Sequence, residues 1–110
     1  MPETKAFPRK KKRLMVEFLD SLGMKRTGYT HDLSYTGFFV KAGSSPKLGE
    51  AIKLMLHLPD GQKLELPGRV ARQTRVPLAL SATMPSGFGF ALTAYSEEYT
   101  RFVDSLLTAL

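Results

Sequence analysis

From Ile52 to Leu58 every second residue is a large aliphatic: Ile52, Leu54, Leu56 and Leu58 fall on one side of an extended chain, and Lys53, Met55 and His57 on the other. A period of two makes a strand with one face in a core and one toward solvent, as in an antiparallel sheet. Pro59-Asp60-Gly61 closes the run as a tight turn, in which Pro presets φ and Gly takes the positive φ. A partner strand through Leu64, Leu66 and Val70 completes a hairpin, and Pro67-Gly68 within it predicts a bulge or an edge.

The same alternation recurs along the chain. Leu14, Val16 and Phe18 alternate with Met15 and Glu17 and stop at the turn-like Asp20-Ser21-Leu22-Gly23. A second strand is predicted from Lys25 to Thr30, with Thr27 and Tyr29 on one face. The polar loop Asp32–Gly37 follows, then a third strand through Phe38-Phe39-Val40 and a loop at Gly43-Ser44-Ser45-Pro46. Residues 73–87 read as a long connection rich in Pro, Ser and Thr, leading to a sixth strand on Phe88, Phe90 and Leu92. The end changes period: Tyr99, Phe102, Val103, Leu106, Leu107 and Leu110 make one helical stripe over about 96–110. Ser96 is its N-cap, and Glu97 and Glu98 favour the positive end of the helix dipole. These elements predict an all-β fold with a terminal helix: a six-stranded antiparallel β-barrel capped by that helix.

At 110 residues the chain has room for one core. With 43% hydrophobic and 24% charged residues it is ordinary globular protein, and the absence of cysteine excludes disulfides and thiolate metal sites. The net charge of +6 is unevenly placed. Residues 1–13 hold six basic side chains against Glu3, or +5; residues 14–110 hold ten basic and nine acidic, or +1. Residues 1–12, with two prolines and no apolar period, are expected to form a flexible basic arm, mobile without ligand, before a barrel domain at 13–110. Glu17 and Asp20 interrupt the only stretch that hints at a signal peptide, and no run approaches the roughly 20 apolar residues of a membrane span. A soluble, cytoplasmic protein with no membrane association is expected.

Two polar stretches carry the chemistry. Arg9-Lys10-Lys11-Lys12-Arg13 taken alone reads as a solvated basic tail or a nonspecific nucleic-acid arm. Its arginines are the informative residues, because a planar guanidinium can meet a phosphate or a guanine edge with two parallel hydrogen bonds. Asp32-Leu33-Ser34-Tyr35-Thr36-Gly37 taken alone reads as a turn in which Asp and Ser cap their own backbone. An ionised Asp can also accept from guanine N1–H and N2–H, a Ser hydroxyl can serve a phosphate or a base, and Gly permits close approach to the main chain.

Together, Arg9-x-x-x-Arg13 followed by Asp32-x-Ser34-x-x-Gly37 resembles the PilZ domain, over nearly the whole chain from Arg9 onward. The resemblance implies a six-stranded barrel and a receptor for the bacterial second messenger cyclic di-GMP. It implies that Arg9 and Arg13 hold guanines and phosphates, and that Asp32, Ser34 and Gly37 form the opposite wall. Arg72 lies where many members offer an aromatic or Arg side chain to stack on guanine. Lys10, Lys11 and Lys12 make an unusually basic spacer, with Lys10 and Lys12 as further candidate contacts. The arm would wrap the ligand on binding and alter the surface shown to a downstream protein partner.

The remaining polar residues suggest less. His31 and His57 lack metal-ligand spacing, Ser34 lacks a His–Asp relay, and Gly87-Phe88-Gly89 lacks the helix-opening context of a phosphate loop. No catalytic constellation, no metal and no cofactor is expected. Tyr29, Phe38 and Phe39 read as packing, and Leu107 and Leu110 could spill into a dimer contact; monomer and dimer both fit. Two alternatives stand beside the receptor: a PilZ-fold adapter acting through a protein partner without ligand, and a small barrel binding nucleic acid. The near-neutral body speaks against the last.

Overall fold

A computed structural model describes residues 9–75 and 86–108. In chain order its elements are β1 (Lys10–Lys11), β2 (Met15–Leu19), β3 (Lys25–Ser34), β4 (Gly37–Lys41), β5 (Ala51–His57), β6 (Lys63–Thr74), β7 (Gly87–Leu92) and α1 (Glu97–Thr108). The sheet runs β1-β3-β2-β5-β6-β7-β4, and a further β3–β4 pairing closes β2 to β7 into a six-stranded antiparallel barrel. The two-residue β1 is an additional strand, paired to the far end of β3 in line with β2. Residues 1–8 of the expected arm, 76–85 of the expected long connection, and Leu110 lie outside the described residues.

Alternation builds the core as the sequence predicts. Val16, Leu54, Leu56, Leu66, Val70, Phe88 and Phe90 point inward and are buried. Removing apolar area from water at about 25 cal/mol per Å² is what holds such a barrel together. The helix closes it with Tyr99 and Val103 fully inside, while Phe102, Leu106 and Leu107 pack half-buried against the rim. Ser96 caps the helix as expected, its Oγ accepting from the Tyr99 N–H at 3.1 Å.

Pro67-Gly68 is neither a bulge nor an edge. β6 lies between β5 and β7, and the β5–β6 register runs unbroken through Lys53↔Pro67 and Ile52↔Gly68. The Pro67 carbonyl accepts from Thr93 just beyond the end of β7. In an antiparallel strand a residue's N–H and C=O share one side, so the missing N–H also faces that end and costs β5 no bond. Gly68 is there for packing: a Cβ would come within 2.4 Å of the Phe90 ring.

The departures from simple alternation are where the chemistry sits. Inward positions on β3 begin as Gly28 and Thr30, which would send Asp32 into the core. Between Thr30 and Leu33 the register against β4 shifts, so His31 and Asp32 together face Phe39. Leu33 goes inside and Asp32 is turned out. β6 repeats the device: Leu66, Gly68 and Val70 point in, a shift follows between Val70 and Arg72, and Arg72 is released to the surface. Bulges commonly re-aim side chains in this way.

Candidate ligand-binding site

The predicted loop at Asp32–Gly37 is shorter than its sequence suggests. β3 continues through Ser34, β4 starts at Gly37, and only Tyr35 and Thr36 form the turn, with Ser34 paired to Gly37. Ser34 is fully buried; its hydroxyl donates to the Gly37 carbonyl at 3.2 Å and lies 3.4 Å from the Thr36 N–H. Gly37 has φ +154°, and a Cβ there would stand 2.0 Å from the Phe90 carbonyl oxygen. Glycine is therefore required at 37 by the passage of β4 over β7, before any ligand is considered.

Arg9 joins the two motifs. Its Nη2 donates to Asp32 Oδ1 at 3.1 Å and its Nη1 lies 3.4 Å from Ser34 Oγ. Arg9 is about half exposed and Asp32 about a quarter, so the pair is a modest contact and an accessible one. Beside it opens a groove of about 310 Å³ lined by Arg9, Thr36, Gly37, Phe39 and Arg72, with Gly89 as part of its floor. Arg72 lies over Gly89, where a Cβ would meet its Cγ at 3.2 Å, and its guanidinium sits 5.9 Å from the Phe39 ring centre. Phe38 packs inside as expected, whereas Phe39 is on the outward side of β4 and supports Arg72. The parity of β4 carries this signal: Phe38 and Val40 face inward, so Phe39 must face out.

Arg13 is not gathered into this groove. Its guanidinium stands 4.1 Å from the ring centre of Tyr29, which is a platform here and not core packing. Arg13 shares a separate cleft of about 260 Å³ with Lys11, Lys12, Thr30, His31 and Lys41. Lys10 is exposed on β1, paired with Leu33, and Lys11 is paired with Asp32. The structure thus brings together Arg9, Asp32, Ser34, Gly37 and Arg72, and sets Lys12 and Arg13 to one side.

Helix α1 supports the turn from beneath. The Tyr99 hydroxyl donates to the Ser34 carbonyl at 2.7 Å, and burial pushes this phenol far above its ordinary range. The Tyr35 hydroxyl donates to Asp104, a bond that also raises the Tyr35 pKa. Neither contact is legible in the sequence, because 65 or more residues separate the partners. Among the described residues, no cluster of His, Cys, Asp or Glu could hold a metal ion, and no helix is long and apolar enough to cross a membrane.

A closed small barrel, helix-capped, with paired cationic and anionic side chains on a surface groove is a small β-barrel domain with a candidate ligand site. The chain belongs to the PilZ domain family, whose model matches residues 3–108. Among curated proteins no sequence relative matches. Solved structures share the fold at low identity. The PilZ domain of YcgR from Escherichia coli, solved with c-di-GMP, is 9% identical with a TM-score of 0.73, over 96% of this chain and 92% of that one. The inhibitor of motility MotI/DgrA of Bacillus subtilis is 15% identical with a TM-score of 0.74, over 96% of this chain and 50% of that one. The PilZ domain of CeSA from a cellulose-synthesizing bacterium is 26% identical with a TM-score of 0.57, over 90% of this chain and 93% of that one. The chain thus spans about half the length of the motility inhibitor.

Proposed function

We propose that this chain is a non-enzymatic receptor for cyclic di-GMP, which it takes between the Arg9–Lys12 arm and the outward face of β3. The observation that carries the reading is the meeting of Arg9 with Asp32 and Ser34 at the mouth of the Arg72 groove. The ligand offers two phosphate charges and guanine edges that both donate and accept. Arg9 and Arg13 suit the phosphates and the guanine acceptors, and Asp32 suits the guanine N–H donors. Arg72, levelled on Phe39 and Gly89, suits the face of a base. Lys10 and Lys12 add charge along the approach.

The arm supplies the switch. β1 is a two-residue ladder, so lifting it from β3 and re-seating it over a ligand gives up few bonds. Charge-assisted contacts to two phosphates must exceed that loss. The ordered arm then presents a new surface to a downstream protein partner in the cytoplasm. Calorimetry with cyclic di-GMP, paired with amide exchange over residues 9–13, tests both parts. Absence of heat at high micromolar ligand overturns the receptor; heat with unchanged exchange overturns the switch alone.

The carboxylate-free cleft around Lys11, Lys12, Arg13 and Lys41 favours one second reading, a nucleic-acid contact. Single-stranded DNA binding with a steep salt slope would support it over the dinucleotide.

A further inference from the structure

We infer that Thr30 and Tyr29 form a holder for Arg13, and that Tyr29 thereby sets how tightly the site takes its anionic ligand; the inference rests on the cyclic di-GMP reading. The holder begins with a step in register. Lys11 pairs with Asp32 and Met15 with Tyr29, so three residues, 12–14, span what two, 30 and 31, span on β3. Arg13 is the middle residue of that step. Backbone at such a point has few ladder bonds, the Lys12 N–H donating to the His31 carbonyl at 3.4 Å, and a buried hydroxyl adds the clamp. Thr30 Oγ1 donates to the Lys12 carbonyl at 2.5 Å and accepts from the Leu14 N–H at 2.9 Å, while the Thr30 N–H donates to the Leu14 carbonyl at 2.8 Å. Thr30 is 1% exposed. Of the strand-favouring residues, threonine has the short hydroxyl that both donates and accepts.

With the Arg13 backbone fixed on both sides, only its side chain is free to answer a ligand. That side chain rests on Tyr29. The cleft around it is lined by Lys11, Lys12, His31 and Lys41 and by no carboxylate, so the ring is what holds the guanidinium in the absence of an anion. Arg9, by contrast, is already on Asp32. On the cyclic di-GMP reading Arg13 also meets the ligand, and since it lies outside the Arg9 groove its side chain has to leave Tyr29 to do so, so the contact with the ring opposes binding. An exposed cation–π contact corresponds to about a two- to fivefold effect on an equilibrium.

The test is calorimetry with cyclic di-GMP on the wild type, Tyr29→Phe and Tyr29→Leu, with the Arg13 Nε–H resonance followed in the ligand-free proteins. Tyr29→Leu should bind about two- to fivefold tighter, and Tyr29→Phe, which keeps a ring, should stay within about twofold of the wild type. The Arg13 resonance should show a ring-current shift that Tyr29→Leu abolishes and Tyr29→Phe retains. Thr30→Val should weaken binding severalfold and Thr30→Ser should restore it. A wild type that binds, with Tyr29→Leu no tighter, overturns the inference alone, as does an Arg13 resonance indifferent to the ring. A wild type that gives no heat overturns the ligand reading and takes the affinity claim with it.

Discussion

Arg9 and Asp32, 23 residues apart in the chain, are 3.1 Å apart in space, so the cation of one motif is paired with the carboxylate of the other before any ligand arrives. The pair keeps both groups at the groove and out of the core. Replacing either residue by Ala should weaken cyclic di-GMP binding by about tenfold or more, because the ligand group it served is left unmatched. Stability should change by under about 1 kcal/mol, since the pair is partly exposed. The double variant should lose less than the two single losses combined, because the residues touch. Calorimetry and thermal melts on the three variants check this; unchanged affinity in both single variants would remove Arg9 and Asp32 from the site.

Gly37 separates a structural demand from a ligand contact. Its Cβ position is occupied by the β7 backbone, which cannot yield as a flexible side chain would. Gly37→Ala should therefore destabilise the fold by roughly 2–4 kcal/mol, with binding lost through unfolding. Gly61→Ala is the control: its φ of +93° is strained for alanine, but nothing lies within 4 Å of the added methyl, and the cost should be about 1 kcal/mol. Urea melts distinguish the two.

The barrel was legible because alternation is a local signal: Ile52 to Leu58 states its own inward face, and Tyr99 and Val103 state the helix stripe. The residues that meet at the groove were legible as candidates by type and order. Their placement was not, because it depends on register. Strict alternation sends Asp32 and Arg72 inward, and only the shifts against β4 and β7 turn them out. Register is a property of strand pairs, so a single strand's sequence does not display it. The same holds for Arg13 on Tyr29, where a residue that reads as packing serves as a platform, and for Phe39, which is buried as its packing reading expects and also lies beneath Arg72.

Asp20 organises the turn between β2 and β3. Its carboxylate accepts from the Leu22 and Met24 N–H groups, each at 2.9 Å, and from Arg26 Nε at 2.8 Å. The Arg26 hydrogen bond, followed by the backbone bond from Met24, holds its pKa below the usual carboxylate range. A depressed folded value contributes stability above the unfolded pKa near 4, and that stability is lost as pH falls through the lower folded value. Asp20→Asn should therefore be less stable than the wild type at pH 7, and the gap should narrow as pH falls below the unfolded pKa and through the lowered folded one. Denaturant melts at pH 7, 5 and 3 report it; a gap constant with pH would mean that the charge is not what holds the turn.

Tyr99 ties the helix to the turn that carries Ser34. Its hydroxyl is the helix's donor to the Ser34 carbonyl at 2.7 Å, in a position 1% exposed, with the Gly37 carbonyl 3.5 Å away. Tyr99→Phe keeps the ring packed against Phe38 and removes only the donor. Water cannot readily replace it there, so the expected cost is about 1–2 kcal/mol. Ser34, Tyr35 and Thr36 would lose their support from beneath while the Asp104 bond to Tyr35 remained. Amide exchange should quicken at Thr36 and Gly37 more than in β5 and β6, and cyclic di-GMP affinity should fall by a factor of a few, less than on loss of Arg9. Uniform quickening across the barrel would mean that Tyr99 serves global stability alone, and its link to the site would be severed.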